Sequence, residues 1–203
     1  MSFTDKYMSS QVEVSERKQL TDKYARARTN LLLVVAFTVL NVVLLVTNSN
    51  SYFLWSAYVP FMLADMGMFY GGMYPDEVYT GDLAGMDFLG EGYFITMLAT
   101  ACMIVLIYLL CWIFSKKNKV GWMIFALALF GIDTVLLLLM NGINTSMLFD
   151  IVFHGWVVIS LFLGISAGNK LKNLPPEEEQ PPVEEEETEE EEETEDLYVQ
   201  NQQ

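Results

Sequence analysis

The chain has almost nothing with which to hold a metal or close a disulfide. One histidine, His154, and two cysteines, Cys102 and Cys111, are all that 203 residues contain. The two thiols fall in one apolar run, and nine positions at 100° each put them on opposite faces of a helix, so they cannot bridge each other. No CxxC pair or second Cys/His group accompanies them, which argues for small buried hydrophobes and against metal, redox or cofactor work. Bases are equally scarce: eleven Lys and Arg, with none between Arg28 and Lys116, give no basic face for nucleic acid. No cleavable signal peptide is visible, because about thirty mostly polar residues precede the first apolar run and no small-residue cleavage site follows it. That run is expected to stay as an anchor. A myristoylation glycine and a prenylation cysteine are also missing.

What the chain has in abundance is apolar length. Hydrophobic residues make up 53% and aromatics 13%, more than a water-soluble domain usually carries. They are bunched into 31–47, 92–114, 120–140 and 148–168, each close to or above the roughly 20 residues that cross about 30 Å of hydrocarbon as a helix. A fifth stretch, 52–70, YFLWSAYVPFMLADMGMFY, invites the same reading, and charge decides against it. With four spans and the amino terminus inside, all eleven bases lie on the cytoplasmic side. Six precede the first span, Lys116, Lys117 and Lys119 follow the second, and Lys170 and Lys172 follow the fourth. Five spans would put the last five outside, against the positive-inside bias. The 48–91 segment is then external, with six acids and no base. Within it 52–70 is expected to lie in the interface or dip in and out, with Tyr52, Trp55, Tyr58, Phe69 and Tyr70 suited to the headgroup belt and Pro60 breaking or kinking it. Glycines 71, 72, 81, 85 and 90 with Pro75 mark an irregular cap.

The ends differ from the body. Residues 1–30 carry six bases at helix-compatible spacing and run without a break into the first span, a basic juxtamembrane helix expected to lie against the anionic leaflet. After Lys172 come fourteen acids and no base, so the net charge of −15 belongs almost wholly to residues 173–203. That tail, with paired prolines among glutamate runs, cannot form a core and is expected to be disordered. Charge alone would let it dock a basic protein partner or fold back on 1–30. Asn144-Thr145-Ser146 matches a glycosylation sequon but sits too close to the bilayer to be a good acceptor.

The candidate site lies inside the spans. Counted from the outer surface at 1.5 Å per residue, Asn41, Thr100, Asp133 and His154 come to one level, each roughly 10 Å down. Asp150 stands one turn above His154, where a carboxylate and an imidazole can meet. Helical angles put Thr38, Asn41 and Asn48 on one face of the first span, Thr96, Thr100 and Met103 on the second, and Ala126, Asp133 and Met140 on the third. On the fourth, Ser160, Gly164 and Gly168 make a small-xxx-small stripe for close helix packing or self-association. An isolated charge at such depth costs about 2.5–3.5 kcal/mol or more, so Asp133 needs a partner, and His154 is the expected one. Three readings follow: structural glue, a proton or ion relay or pH sensor, and a metal or catalytic centre. The last is thin, since a single histidine would have to meet external acids such as Asp65, Asp76 or Glu77. Met62, Met66, Met68 and Met73 raise a copper site, but their spacing is loose and Met commonly fills irregular apolar surfaces.

The segments NLLLVVAFTVLN, YFLWSAYVP, GWMIFALALFGIDTVLLL and DIVFHGWVVISLFLG, the last running on to KLKNLPPEEE, resemble a group of small uncharacterised bacterial multi-pass membrane proteins. The resemblance implies a bacterial plasma-membrane setting. No activity is attached to that group, and the long glutamate tail is not part of its pattern. The expected architecture is an all-α, four-helix membrane bundle with both termini cytoplasmic, an external interfacial or re-entrant helix and an acidic tail. The expected role is a non-enzymatic scaffold or accessory subunit that contacts lipid, tail partners and other copies of itself. The alternative is a small proton- or ion-coupled transporter or pH sensor using Asp133 and His154.

Overall fold

The computed structural model describes residues 3–49, 51–53, 55–142 and 147–175, with side chains from residue 15 onward. The sequon loop and most of the acidic tail lie outside the described residues. Among those described there are five α-helices and no strands: α1 (Phe3–Val46), α2 (Tyr58–Gly71), α3 (Glu91–Phe114), α4 (Val120–Asn141) and α5 (Leu148–Asn173). Four of them, Ser15–Val46 of α1 with α3, α4 and α5, are long and apolar enough to cross a membrane. In hydrocarbon a backbone can satisfy its polar groups only within itself, which selects helices for runs this apolar. The large hydrophobes left on the outside, Met103, Ile132, Leu139 and Phe162 among them, are what a lipid-facing surface requires. The chain is a multi-pass membrane protein.

The four long helices close a ring in the order α1, α5, α4, α3. Where α1 and α5 begin and end together, the core is Tyr24, Ala27, Leu31, Tyr108, Cys111, Met123 and Leu161. Toward the other end α2 is wedged between α3 and the α1–α4 pair, and it buries Pro60, Ala64, Gly67 and Met68. With 14 residues α2 is about 21 Å long, too short to cross. The chain leaves α1 through Asn48 at φ 53, where Ser49 N–H bonds the Leu44 carbonyl at 2.8 Å. It then descends beside α1 and climbs back as α2 to Gly72, whose φ of 73 ends the helix as Met73 N–H bonds Met68 O at 2.9 Å.

Two glycines make the wedge fit. A Cβ on Gly67 would stand 2.9 Å from the Met97 Cβ, and one on Gly71 would stand 3.0 Å from the Phe94 Cβ, so only hydrogen lets α2 lie this close to α3. Gly164 and Gly168 of α5 serve α1 in the same way: a Cβ on Gly164 would come within 2.2 Å of the Ala27 Cβ, and one on Gly168 within 2.9 Å of the Tyr24 ring. The stripe expected to serve self-association is therefore covered by α1 of its own chain.

The basic segment continues into the first span without a break, as expected, and it also packs on the bundle: Leu20, Tyr24 and Ala27 are buried, with Tyr24 and Ala27 against α5 and the α3–α4 turn. Arg28 turns inward. Its Nε donates to Ser115 Oγ at 3.0 Å and its Nη2 to the Trp112 carbonyl at 3.1 Å, with the guanidinium over the Trp112 ring. A cation thus closes the carboxyl end of α3, where the helix dipole favours one.

Candidate functional site

The first turn of a helix has four backbone N–H groups without intrahelical acceptors. In α2 the residue before the helix, Ala57, has no side chain to cap with, so every acceptor must come from elsewhere. The neighbouring spans supply them. Ala57 N–H donates to Thr38 Oγ1 of α1 at 2.8 Å, while that hydroxyl donates to Val34 O at 2.6 Å. Tyr58 and Val59 N–H donate to Asp133 of α4, to Oδ2 at 2.9 Å and Oδ1 at 2.8 Å. The fourth residue, Pro60, has no N–H at all. All four positions are settled, and the carboxylate sits where the α2 dipole stabilises negative charge.

The strand-like approach to α2 is held by the same layer. Asn41 Nδ2 donates to Phe53 O at 2.7 Å and Asn41 Oδ1 accepts Phe53 N–H at 2.8 Å, so one side-chain amide pairs a backbone unit as a neighbouring strand would. Trp55, at φ 71, wedges its ring against Phe153 at 5.0 Å and Phe37 at 6.2 Å where the chain turns toward the helix.

His154 completes the surroundings of Asp133. Its Nε2 lies 3.3 Å from Asp133 Oδ2, its Nδ1 lies 2.8 Å from the Asp150 carbonyl, and its ring stacks on Phe130 at 5.0 Å. Both partners are 2–3% exposed. A carbonyl can only accept, so Nδ1 carries a hydrogen. Nε2 then faces a carboxyl oxygen, and the contact holds one proton between them as imidazolium with carboxylate or as imidazole with carboxylic acid.

Of the residues expected at this level, the structure brings Asn41, Asp133 and His154 into one buried layer and adds Thr38. Thr100 is a correction. It is exposed and its hydroxyl donates to Thr96 O at 2.8 Å; Ala101 faces inward instead, and Met103 is also exposed. The hydroxyls of Thr96 and Thr100 are satisfied on their own helix, so that face can turn to lipid while α2 packs against Phe94 and Met97. Asn48 and Met140, placed on inward faces by angle, are exposed near helix ends. Asp150 meets His154 through its backbone carbonyl and not through its carboxylate. Ser160 Oγ accepts from Asn30 Nδ2 of α1 at 2.6 Å.

The sequence reading missed Thr38 as an acceptor, the amino end of α2 as the second partner of Asp133, and the close-packing pair Gly67 and Gly71. Signals for each existed: SAYVP starts a helix with no capping residue at Ala57, and GMFYG is a small-xxx-small pair.

Outside the layer, Asp65 accepts the Tyr74 hydroxyl at 2.5 Å, and burial, reinforced by that hydrogen bond, raises the Tyr74 pKa. Asp76 and Glu77 are exposed in a short 3-10 turn. Among the described residues no three His, Cys, Asp or Glu side chains form a group that could hold a metal ion. Comparison with protein-family models, curated proteins and solved structures finds no match to this chain.

Proposed function

We propose that the protein is a non-enzymatic scaffold or accessory subunit of a bacterial plasma membrane. Its four spans hold a re-entrant segment, 51–71, and the acidic cap that follows in a fixed pose on the outer face, while both ends meet partners in the cytoplasm. The observation that carries this reading is the setting of Asp133. Two backbone N–H groups and an imidazole meet it in a buried position, which is how a fixed structural ion is built.

The test pairs two assays on the full chain. Reconstituted in liposomes under a pH gradient, wild type, Asp133→Asn and His154→Ala are expected to pass no more protons than protein-free vesicles. In cells, in-situ crosslinking is expected to give specific adducts that are lost when the chain is cut after Asn173. Proton flux that depends on Asp133 would overturn the reading, and so would a set of adducts indifferent to the cut.

A second reading rests on the proton shared by Asp133 and His154. Because the same carboxylate holds the start of α2, a change in that proton would reach the cap, making the pair a pH sensor. Cap accessibility that shifts between pH 5 and 8 in wild type but not in His154→Gln would support it.

A further inference from the structure

Between α1 and α5, at the end of the bundle where α1 starts and α5 ends, runs a groove of about 480 Å³. Its mouth carries Lys23 and Arg26 from α1 and Lys170 from α5. All three are exposed, and none has a hydrogen-bond or ion-pair partner among the described residues. Their neighbours differ: Arg28 is spent on the end of α3, and Arg17 donates to the carbonyl of Pro175. Deeper in, the groove passes Asn30, Ser160 and Ser166 and ends on Ile159, Leu163 and Trp156. Those last three are 59%, 56% and 60% exposed on a helix apolar enough to cross a membrane, so the deep half opens to hydrocarbon. Lys170 and Trp156 are fourteen positions apart, about 21 Å along the axis, close to the length of an extended acyl chain.

Cations at the mouth, hydroxyls and an amide below them, and an apolar channel open to lipid repeat, in order, the phosphate, glycerol ester and acyl chain of a phospholipid. We propose that this groove is a binding site for one anionic glycerophospholipid, with its phosphate among Lys23, Arg26 and Lys170 and one acyl chain along Leu163, Ile159 and Trp156. Basic pockets between spans are suited to such headgroups, and anionic lipid is concentrated in the cytoplasmic leaflet. The glutamate run of the same chain matches the charge of the mouth but not the apolar channel, which no row of carboxylates can enter. The inference rests on the membrane-spanning fold and shares with the scaffold reading only the cytoplasmic placement of this end of the bundle.

Native mass spectrometry of the full-length protein in detergent, titrated with phosphatidylglycerol or phosphatidylcholine, tests it. The expected result is one saturable phosphatidylglycerol adduct per chain, with phosphatidylcholine at least tenfold weaker. Each of Lys23→Gln, Arg26→Gln and Lys170→Gln should weaken the adduct about fivefold. Ser166→Trp, which fills the channel without removing charge, should abolish it. Lys18→Gln, an exposed base outside the groove, should leave it unchanged, and unaltered melting without lipid would show that each variant is folded. Equal binding of the two lipids, or equal weakening by Lys18→Gln, would overturn the proposal. A phosphatidylglycerol adduct seen only after residues 174–203 are removed would assign the groove to the acidic tail and overturn it too.

Discussion

A buried carboxylate is stable only while polar partners surround it, and Asp133 has two backbone donors, from Tyr58 and Val59, and the His154 ring beside them. Replacing it with Asn keeps the shape but turns an NH2 toward a backbone donor and takes the charge from His154. Breaking a buried pair in this way costs about 3–5 kcal/mol. Asp133→Asn should therefore lower the melting temperature sharply in detergent, and His154→Ala should do so as well. Thr38→Val removes the acceptor for Ala57 N–H along with the hydroxyl's own bond to Val34 O, and leaving that buried N–H unpaired costs about 1–3 kcal/mol. Since Thr38 and Asp133 hold the same helix start, the double variant should lose less than the two losses added. Strict additivity would mean that they act on separate structures. The sequence made Asp133 and His154 visible, as rare polar groups in apolar runs. It could not show the other two ligands of Asp133, because backbone amides have no letter of their own and these lie about 75 positions away.

Among the elements, α1 and α5 depend on hydrogen where they meet. Gly164→Ala would drive a methyl into Ala27, at a cost of about 1–3 kcal/mol for overpacking. Ala27→Gly on the facing helix should restore most of that loss, less the roughly 1 kcal/mol that glycine costs inside a helix. Failure of the pair to recover, measured as melting temperature, would place the two residues apart. The small-residue stripe was legible as a packing surface, but its partner was not, since Ala27 and Tyr24 sit in a segment whose charges suggested a leaflet. Helix α2 was legible in existence and as something other than a crossing. Its depth was not, because that depends on a wedge held by Gly67, Thr38 and Asp133 together. The turn after α2 should show its own pH limit. The Tyr74 phenol is raised above its ordinary value near 10, so the folded state holds this proton more tightly than the unfolded chain. The stabilisation is complete below about pH 10 and is lost as pH rises through the higher folded value. Tyrosine absorbance should register this above pH 10 in wild type and not in Tyr74→Phe.

For the molecule as a whole, span lengths and the placement of bases made the four-helix frame readable, since both follow from the thickness and charge of a bilayer. The native thiols test the frame. Cys102 is exposed toward lipid and Cys111 is fully buried, so a lipid-soluble maleimide should modify the first and spare the second until the protein unfolds. In a background without native cysteines, Lys117→Cys should react with an impermeant reagent only from the cytoplasmic side, and Ala84→Cys only from outside. The reverse pattern would invert the orientation on which the scaffold reading depends.

The most direct test is amide hydrogen exchange at the start of α2. First-turn amides normally exchange fast, but Ala57, Tyr58 and Val59 have acceptors on α1 and α4, and their exchange in the wild type should be slow. In Asp133→Asn, a loss near 3 kcal/mol corresponds to acceleration by about a hundredfold at Tyr58 and Val59, with the middle of α4 unchanged. Fast exchange at these amides in the wild type, or the same rate in both proteins, would contradict the claim that Asp133 holds the start of α2.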